Sequence, residues 1–159
     1  MSVDHVKAYL RAFHAEDRVL EFPVSSATVE LAAQALNCEP GRIAKTLSFM
    51  VGEQPILIVV RGDARIDNKK YKQRFGTKAK MMTAEELDHF TGLVFGGVCP
   101  FGIPESVEIW LDESLKAFDP IYPAAGSGNS AVRLSCAELE VFSRAKGWVD
   151  IAKLPEGVS

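Results

Sequence analysis

Within residues 43–51 the larger apolar residues Ile43, Leu47, Phe49 and Val51 fall at alternate positions, and this period of two predicts a β-strand. Because successive side chains of a strand point to opposite faces, Lys45 shares a face with the large apolar residues Leu47 and Phe49. An ammonium group among apolar neighbours needs a partner or water, since its desolvation is costly. Lys45 is therefore a candidate for meeting an anion in a pocket. The alternative is that its stem packs on Leu47 while the ammonium reaches solvent.

The rest of the chain alternates between helical and strand-like patterns. Residues 55–61 are continuously apolar enough for a central strand and should form a hairpin with residues 43–51. The predicted helices are residues 2–14, 28–36, 68–75, 83–90 and 136–145. The other predicted strands are residues 19–22, 93–95, 107–111, 121–122 and 131–134. This order indicates an α+β fold with a mixed, curled and partly barrel-like β-sheet surrounded by helices.

Length and composition are those of one globular domain. The chain has 159 residues, of which 47% are hydrophobic and 25% charged, so it can bury about two thirds of its unfolded surface. We expect a single domain over residues 1–159, with a core of about residues 19–151 behind the N-terminal helix. No apolar run approaches membrane-spanning length, and the first residues lack the blocks of a signal peptide. A cytoplasmic protein without a membrane partner is expected.

The three cysteines and the three histidines give no sign of a metal site or a disulfide framework. The cysteines are widely spaced, with no CxxC or His-x-His pattern. The histidines, His5, His14 and His89, fall on predicted helices outside the glycine-rich loops. We therefore expect neither a metal nor another cofactor.

Charge is distributed unevenly along the chain. Residues 61–80 hold eight basic and two acidic residues, a net charge of +6, while the remainder has ten basic and nineteen acidic residues, a net charge of −9. The overall charge of −3 argues against a generic polyanion or DNA binder. A basic segment on an acidic body suits one face that meets RNA phosphates. The residues predicted for this face are Arg61, Arg65, Lys69, Lys70 and Lys72. The alternative is a solvated helix surface.

Two glycine-rich stretches carry further candidate chemistry. Residues 96–104 contain three glycines and two prolines, so their backbone N–H groups can be held rigid and aimed at a carbonyl or a water. Residues 125–128 can likewise offer backbone groups and the Ser127 hydroxyl. The commoner role of such a composition is a structural corner between strands.

Five sequence blocks, in this order, resemble the YbaK/prolyl-tRNA synthetase-associated editing domain. They are GRIAKTL at residues 41–47, GD at 62–63, TG at 91–92 leading to GGVCPFG at 96–102, IWLDE at 109–113 and GSG at 126–128. The resemblance covers about residues 19–151. It implies a YbaK-like fold and a freestanding hydrolase for mischarged aminoacyl-tRNA, typically tRNA for proline carrying a small wrong amino acid. Prolyl-tRNA synthetase is the implied partner protein.

The resemblance also assigns roles to residues. Lys45 matches the family lysine that contacts the 3′-terminal nucleotide or the ester, and Gly97 lies in the block whose backbone places substrate and hydrolytic water. We expect these two residues to be catalytic. The expected substrate-binding residues are Thr46, Gly96, Val98, Cys99, Pro100, Phe101, Gly126, Ser127 and Gly128. Many family members have serine where this chain has Cys99, which removes a hydroxyl from that position.

The expected chemistry needs little beyond positioning. Aminoacyl esters are activated, so donors that hold the ester and stabilise the developing oxyanion suffice. A nucleophilic Cys99 is a rival hypothesis, although no histidine partner is identifiable. The residues expected to set pocket size are Phe22, Val29, Val98, Phe101 and Ile103. Alanine, cysteine, serine and threonine all stay candidate amino acids, because they differ by as little as a methyl or a hydroxyl.

Two other function classes fit parts of the same pattern. A noncatalytic module that binds the tRNA acceptor stem, associated with a synthetase, would use the basic segment without turnover. Its aromatic complement is thin, because Tyr71 and Phe75 are the only aromatics in that segment. A small-molecule amino-acid or acyl sensor would need the pocket but not the basic segment. No pattern indicates a particular oligomeric state.

Overall fold

The structure, a computed structural model, describes residues 2–158 and shows one α+β domain. The outer limits of the predicted domain, residues 1 and 159, lie outside the described residues. The helices are α1 (Val3–Arg11), α2 (Val29–Leu36), α3 (Asn68–Phe75), α4 (Ala84–Thr91) and α5 (Cys136–Ser143). The strands are β1 (Val19–Glu21), β2 (Ile43–Val51), β3 (Gln54–Arg61), β4 (Arg65–Ile66), β5 (Glu108–Asp112), β6 (Tyr122–Pro123), β7 (Ser130–Val132), β8 (Gly147–Val149) and β9 (Ala152–Lys153).

A mixed five-stranded sheet, curled into a half-barrel, forms the centre of the fold, with strand order β6-β2-β3-β5-β8. The predicted hairpin is confirmed: β2 and β3 are antiparallel, with Lys45 opposite Val60. The other three pairings in this sheet are parallel. Two short antiparallel pairs, β1 with β7 and β4 with β9, complete the described strands. None of the helices within residues 2–158 combines the length and the apolar character needed to cross a membrane.

The hairpin is buried on both faces. Ala44 and Met50 on one face of β2 join the largest hydrophobic cluster, together with Val59 and Leu111. On the other face, the apolar residues that follow Lys45 pack in a second cluster with Tyr71 of α3. The face of β2 that carries Ala44 and Met50 is therefore also buried against a core. The sequence argument considered only the large side chains on the opposite face and did not predict this. Lys45 lies at the mouth of the α3-covered face.

Three expectations about the elements were wrong. Residues 93–95 form a loop rather than a strand, because α4 ends at Gly92 in the left-handed conformation and the N–H of Gly97 closes a turn onto Val94 O at 3.2 Å. Helix α1 ends at Arg11, and His14 beyond it has a φ of 58°, so this histidine does not lie on a helix. The strands β4, β8 and β9 were not predicted, since each has only two or three residues and no clear alternation.

Candidate functional site

A cavity of about 140 Å³ lies at the edge of the sheet where β2 pairs with β6. The mouth of β2 forms one wall, the loop before α2 and the start of α2 form a second, and the loop after α4 forms a third. Residues around β6 and β7 close the remaining side. The lining residues are Ser26, Ala27, Thr28, Val29, Ala32, Ile43, Ala44, Lys45, Thr46, Phe95, Gly96, Val98, Tyr122, Ala124, Ser130 and Ala131.

Lys45 is half-buried in this wall, and its ammonium donates a hydrogen bond to the carbonyl oxygen of Ala64. Burial lowers the pKa of Lys45, and the nearby carboxylates of Asp63 and Glu30 partly oppose that shift. The hairpin register explains the contact, because Lys45 lies opposite Val60 and Ala64 follows in the turn after β3. The lysine is therefore held at the cavity by the backbone of the neighbouring turn.

The turn that receives Lys45 is fixed by a buried ion pair. Arg61 donates to both carboxylate oxygens of Asp63, at 2.6 Å and 3.0 Å, and its guanidinium lies 4.9 Å from the centre of the Phe118 ring. Gly62 between them has no room for a side chain, because a Cβ there would lie 2.5 Å from Pro40 O. Arg61 is only 5% exposed. It is a structural residue inside the domain and not part of a surface that could meet RNA.

The two glycine-rich loops pack directly against each other beside the cavity. A Cβ on Gly97 would lie 2.9 Å from Ser127 Cα, so only glycine permits this approach. Gly96 has a φ of 94° and faces Ala27. The N–H of Ser26 donates to Gly128 O at 2.7 Å, which joins the loop before α2 to the same assembly. Three chain segments that are distant in sequence thus form one compact wall.

Gly97 contributes close packing rather than a hydrogen-bond donor directed at the cavity. Its N–H donates to Val94 O at 3.2 Å, and Gly97 is not a lining residue. Gly96 does line the cavity, and its N–H has no hydrogen-bond acceptor within residues 2–158. The sequence suggested that the N–H of Gly97 is directed at the cavity. In the structure, the N–H of Gly96 is the better candidate for that donor.

The second glycine-rich loop, residues 126–128, contacts the residues around the cavity but does not line it. Gly126 faces α1, where an added Cβ would lie 3.0 Å from Val6 Cγ2. The Ser127 hydroxyl lies 2.9 Å from Asn129 Oδ1 and 2.7 Å from the hydroxyl of Ser130. Of this hydroxyl network only Ser130 lines the cavity. The predicted binding residues Gly126, Ser127 and Gly128 therefore hold other residues in place.

Two buried hydroxyl groups belong to lining residues. Thr46 Oγ1 and Ser26 Oγ are both inaccessible to solvent and have no hydrogen-bond partner within residues 2–158. Buried polar groups are nearly always paired in folded proteins, so such a pair beside one cavity is unusual. A bound polar group or water could satisfy them after a small adjustment of the side chains.

Cys99, Pro100 and Phe101 do not line the cavity, although the sequence grouped them with the substrate-binding residues. Cys99 and Phe101 are fully buried in the largest core cluster. The Cys99 thiol donates to Phe101 O at 3.8 Å, and burial raises its pKa to about 12. A thiol that is protonated and shielded from solvent is a poor nucleophile. The loop turns inward after Val98, which is why these side chains pack in the core.

Of the five residues expected to set pocket size, some line the cavity and others do not. Val29 and Val98 line the cavity, whereas Phe22, Phe101 and Ile103 do not. Several lining residues had not been singled out: Ser26, Ala27, Thr28, Tyr122, Ser130 and Ala131. Nothing in the sequence links the loop before α2 to residue 128, so only the folded chain reveals this wall.

Most of the basic segment lies at the surface, but two of its cations contact other parts of the domain. Lys70 pairs with Asp150 at 3.0 Å and also donates to Ala152 O. Arg74 lies over the ring of Trp110 at 4.6 Å. The residues of the predicted RNA-binding set that are exposed are Arg65, Lys69 and Lys72. Within residues 2–158 there is also no group of three or more His, Cys, Asp or Glu that could hold a metal ion.

Comparison with known proteins places this chain in a family. Residues 24–142 match the family described as the aminoacyl-tRNA editing domain, and the chain belongs to that family. The uncharacterized protein YwhH of Bacillus subtilis is 49% identical over 154 residues, which are 96% of this chain and 98% of YwhH. The proline–tRNA ligase of Lactiplantibacillus plantarum is 26% identical over 82% of this chain, and the match spans only 23% of that ligase.

Solved structures show the same likeness. A crystal structure described as a proposed trans-editing enzyme for prolyl tRNA synthetase has a TM-score of 0.86 at 29% identity, covering 96% of this chain and 99% of that one. The match thus spans nearly all of YwhH and of that solved chain, but only about a quarter of the length of the ligase.

Proposed function

We propose that this chain is a trans-editing hydrolase that deacylates mischarged aminoacyl-tRNA. The substrate in this proposal is tRNA for proline carrying a small wrong amino acid, encountered in the cytoplasm. One observation carries the proposal: a half-buried lysine, with its pKa lowered by burial, lines a small cavity together with the glycine-rich loop after α4 and the loop before α2. Membership of the aminoacyl-tRNA editing domain family and the likeness to proline–tRNA ligase support it.

Cavity size favours a small acyl group. A volume of about 140 Å³ holds about one benzene-sized group, and the α-amino and carbonyl groups of the ester must share it, so the side chain of the amino acid must be short. The lining is mainly apolar or small, and its hydroxyls come from Ser26, Thr28, Thr46, Tyr122 and Ser130. Alanine, cysteine and serine fit this size range, whereas a large aromatic side chain does not.

The proposed mechanism relies on positioning and electrostatics. Water attacks the ester carbonyl carbon, the bond to the ribose oxygen breaks, and the proton from water passes to that leaving oxygen. Lys45 holds the ester or the neighbouring phosphate and stabilises the developing negative charge, and the N–H of Gly96 is a second candidate donor. The Cys99 thiol takes no part, because it is buried and its pKa is raised to about 12.

The decisive experiment is a deacylation assay on tRNA for proline charged with alanine, cysteine or serine. The wild-type protein should hydrolyse at least one of these esters, and Lys45→Met should reduce kcat/KM by about 100-fold or more, the usual size of losing one oxyanion donor. Lys7→Met is the matched control, because Lys7 lies on α1 and pairs with Glu21. That variant should keep the wild-type rate.

Stability measurements separate this result from simple unfolding. Burial disfavours the charged form of Lys45. At pH 7, the free energy of unfolding of Lys45→Met should therefore be equal to or higher than that of the wild type. From the lowered folded-state pKa up to the ordinary value of 10.5, the unfolded lysine binds more protons than the folded one. The wild type should therefore gain stability with rising pH in that window, and Lys45→Met should lack this gain. tRNA binding without turnover by the wild type would instead identify a noncatalytic binding module.

A further inference from the structure

Phe95 is the only aromatic residue within residues 2–158 whose side chain is largely exposed, and it also lines the cavity. It is 51% exposed, and its neighbour Val94 is 67% exposed. A single exposed apolar residue is common, whereas adjacent exposed apolar residues beside a cavity form a patch of the kind found at ligand-binding grooves. Because Phe95 is both exposed and a lining residue, a ligand that enters the cavity passes close to its ring.

The backbone that carries this ring belongs to the turn that forms part of the cavity wall. The N–H of Gly97 closes the turn onto Val94 O, Gly96 packs on Ala27, and Gly97 packs on the backbone of Ser127. A flexible surface loop would place an exposed phenylalanine in many positions. Here the packing on both sides of Gly96 and Gly97 fixes the backbone that carries Phe95.

The chemistry of the substrate specifies what should lie on this ring, given the proposed function. An aminoacyl ester joins the acyl carbon directly to the ribose of the terminal nucleotide. When the acyl group occupies the cavity, the ribose and its base must lie at the mouth. Single-stranded bases are bound by stacking on exposed aromatic rings, which act on any base because each has a π-face. We propose that Phe95 is the stacking platform for the 3′-terminal base of the aminoacyl-tRNA.

The aromatics of the basic segment cannot take this role. Tyr71 is fully buried in the second core cluster. The Phe75 ring lies between its neighbours, 4.9 Å from the centre of the Tyr71 ring and 6.1 Å from that of Trp110. The lack of free aromatics in that segment therefore does not mean that the protein lacks a stacking surface.

Three substitutions at one position test the stacking. Phe95→Ala should raise KM for the mischarged tRNA about tenfold with little change in kcat, since loss of one base stack lies in this range. Phe95→Leu keeps an apolar side chain of similar size but no π-face, and it should show most of the same rise. Phe95→Tyr should restore KM to within about twofold of the wild type. Val141→Ala, another exposed apolar position at 59%, should leave both constants unchanged.

A second measurement keeps the stacking separate from catalysis. An RNA oligonucleotide ending in CC and 2-aminopurine should lose fluorescence on binding the wild type, because the terminal base stacks, and should keep it with Phe95→Ala. This assay needs no hydrolysis, so it remains informative if the wild type proves to have no deacylase activity. Equal KM values for Phe95→Leu and the wild type, or equal quenching by Phe95→Ala and the wild type, would overturn the proposal.

Discussion

The cavity wall and the basic segment were both expected to contact tRNA. The folded chain brings the residues of the cavity wall together, whereas some charges of the basic segment are buried or paired. At the cavity, residues from β2, the loop before α2 and the loop after α4 converge around Lys45. Along residues 61–80, Arg61 is buried against Asp63, Lys70 forms a surface ion pair with Asp150, and Arg74 lies over Trp110 while it stays exposed. Only part of the counted charge therefore faces solvent.

The difference shows what a count of charges along a chain can and cannot indicate. A net charge is a sum over residues, whereas phosphate binding needs cations that share a surface and lack internal partners. Glycine-rich loops behave in the opposite way, because a backbone that must approach another backbone constrains the residue type directly.

The largest effect that tests this comparison is expected at Arg61. Arg61→Met should lower the free energy of unfolding by about 2 kcal/mol, because it leaves the Asp63 carboxylate without its buried partner; the partial exposure of Asp63 keeps the loss below the usual range for a fully buried pair. Urea unfolding measures the change.

Arg65→Met is the matched control, since Arg65 lies on β4 and is exposed. This variant should change the free energy of unfolding by less than about 0.5 kcal/mol. The reverse order, with Arg65 costing more stability than Arg61, would show that the buried ion pair does not hold the turn.

An intermediate effect is expected at the contact between the glycine-rich loops. Gly97→Ala places a methyl group 2.9 Å from the Ser127 backbone, so it should cost about 1 to 2 kcal/mol of stability and reduce deacylation as the wall shifts. Gly128→Ala is the matched control, because its Cβ would meet Ala27 Cβ at an ordinary 3.5 Å. Thermal unfolding and the deacylation assay should separate the two variants. Equal behaviour of both would argue against a close backbone contact.

The smallest effect is expected from the exposed lysines of α3. Replacing both Lys69 and Lys72 by glutamine should weaken tRNA binding a few-fold and reduce the dependence of log affinity on log salt by about 1.5, if each contacts one phosphate. The rate constant kcat should not change, because neither residue lines the cavity. Filter binding at several salt concentrations measures the slope.

Lys7→Gln is the control for that measurement, because Lys7 carries the same charge but pairs with Glu21 on a different element. An unchanged salt slope in the double variant would assign RNA binding to the cavity rim alone.

Much of the fold followed from local patterns. The β2–β3 hairpin came from alternation next to a continuous apolar run, and the starts of α4 and α5 came from capping boxes at Thr83 and Ser135 that the structure contains. The strand predicted at residues 93–95 was wrong, since a short apolar run between glycines has no period that distinguishes a strand from a turn. The strands β8 and β9 are too short to be recognised from their own sequence, and they are defined by their pairing with β5 and β4.

For the site, the sequence by itself identified Lys45 and Gly96 as residues that come to lie at one cavity, because strand alternation and glycine-rich turns are properties of consecutive residues. Only the tertiary structure decided that Ser26 and Phe95 join them, and that Cys99 and Arg61 turn inward. The physical reason is that exposure and pairing depend on which distant segments pack together, and the free energy of that packing is shared by the whole chain rather than encoded in any short stretch of it.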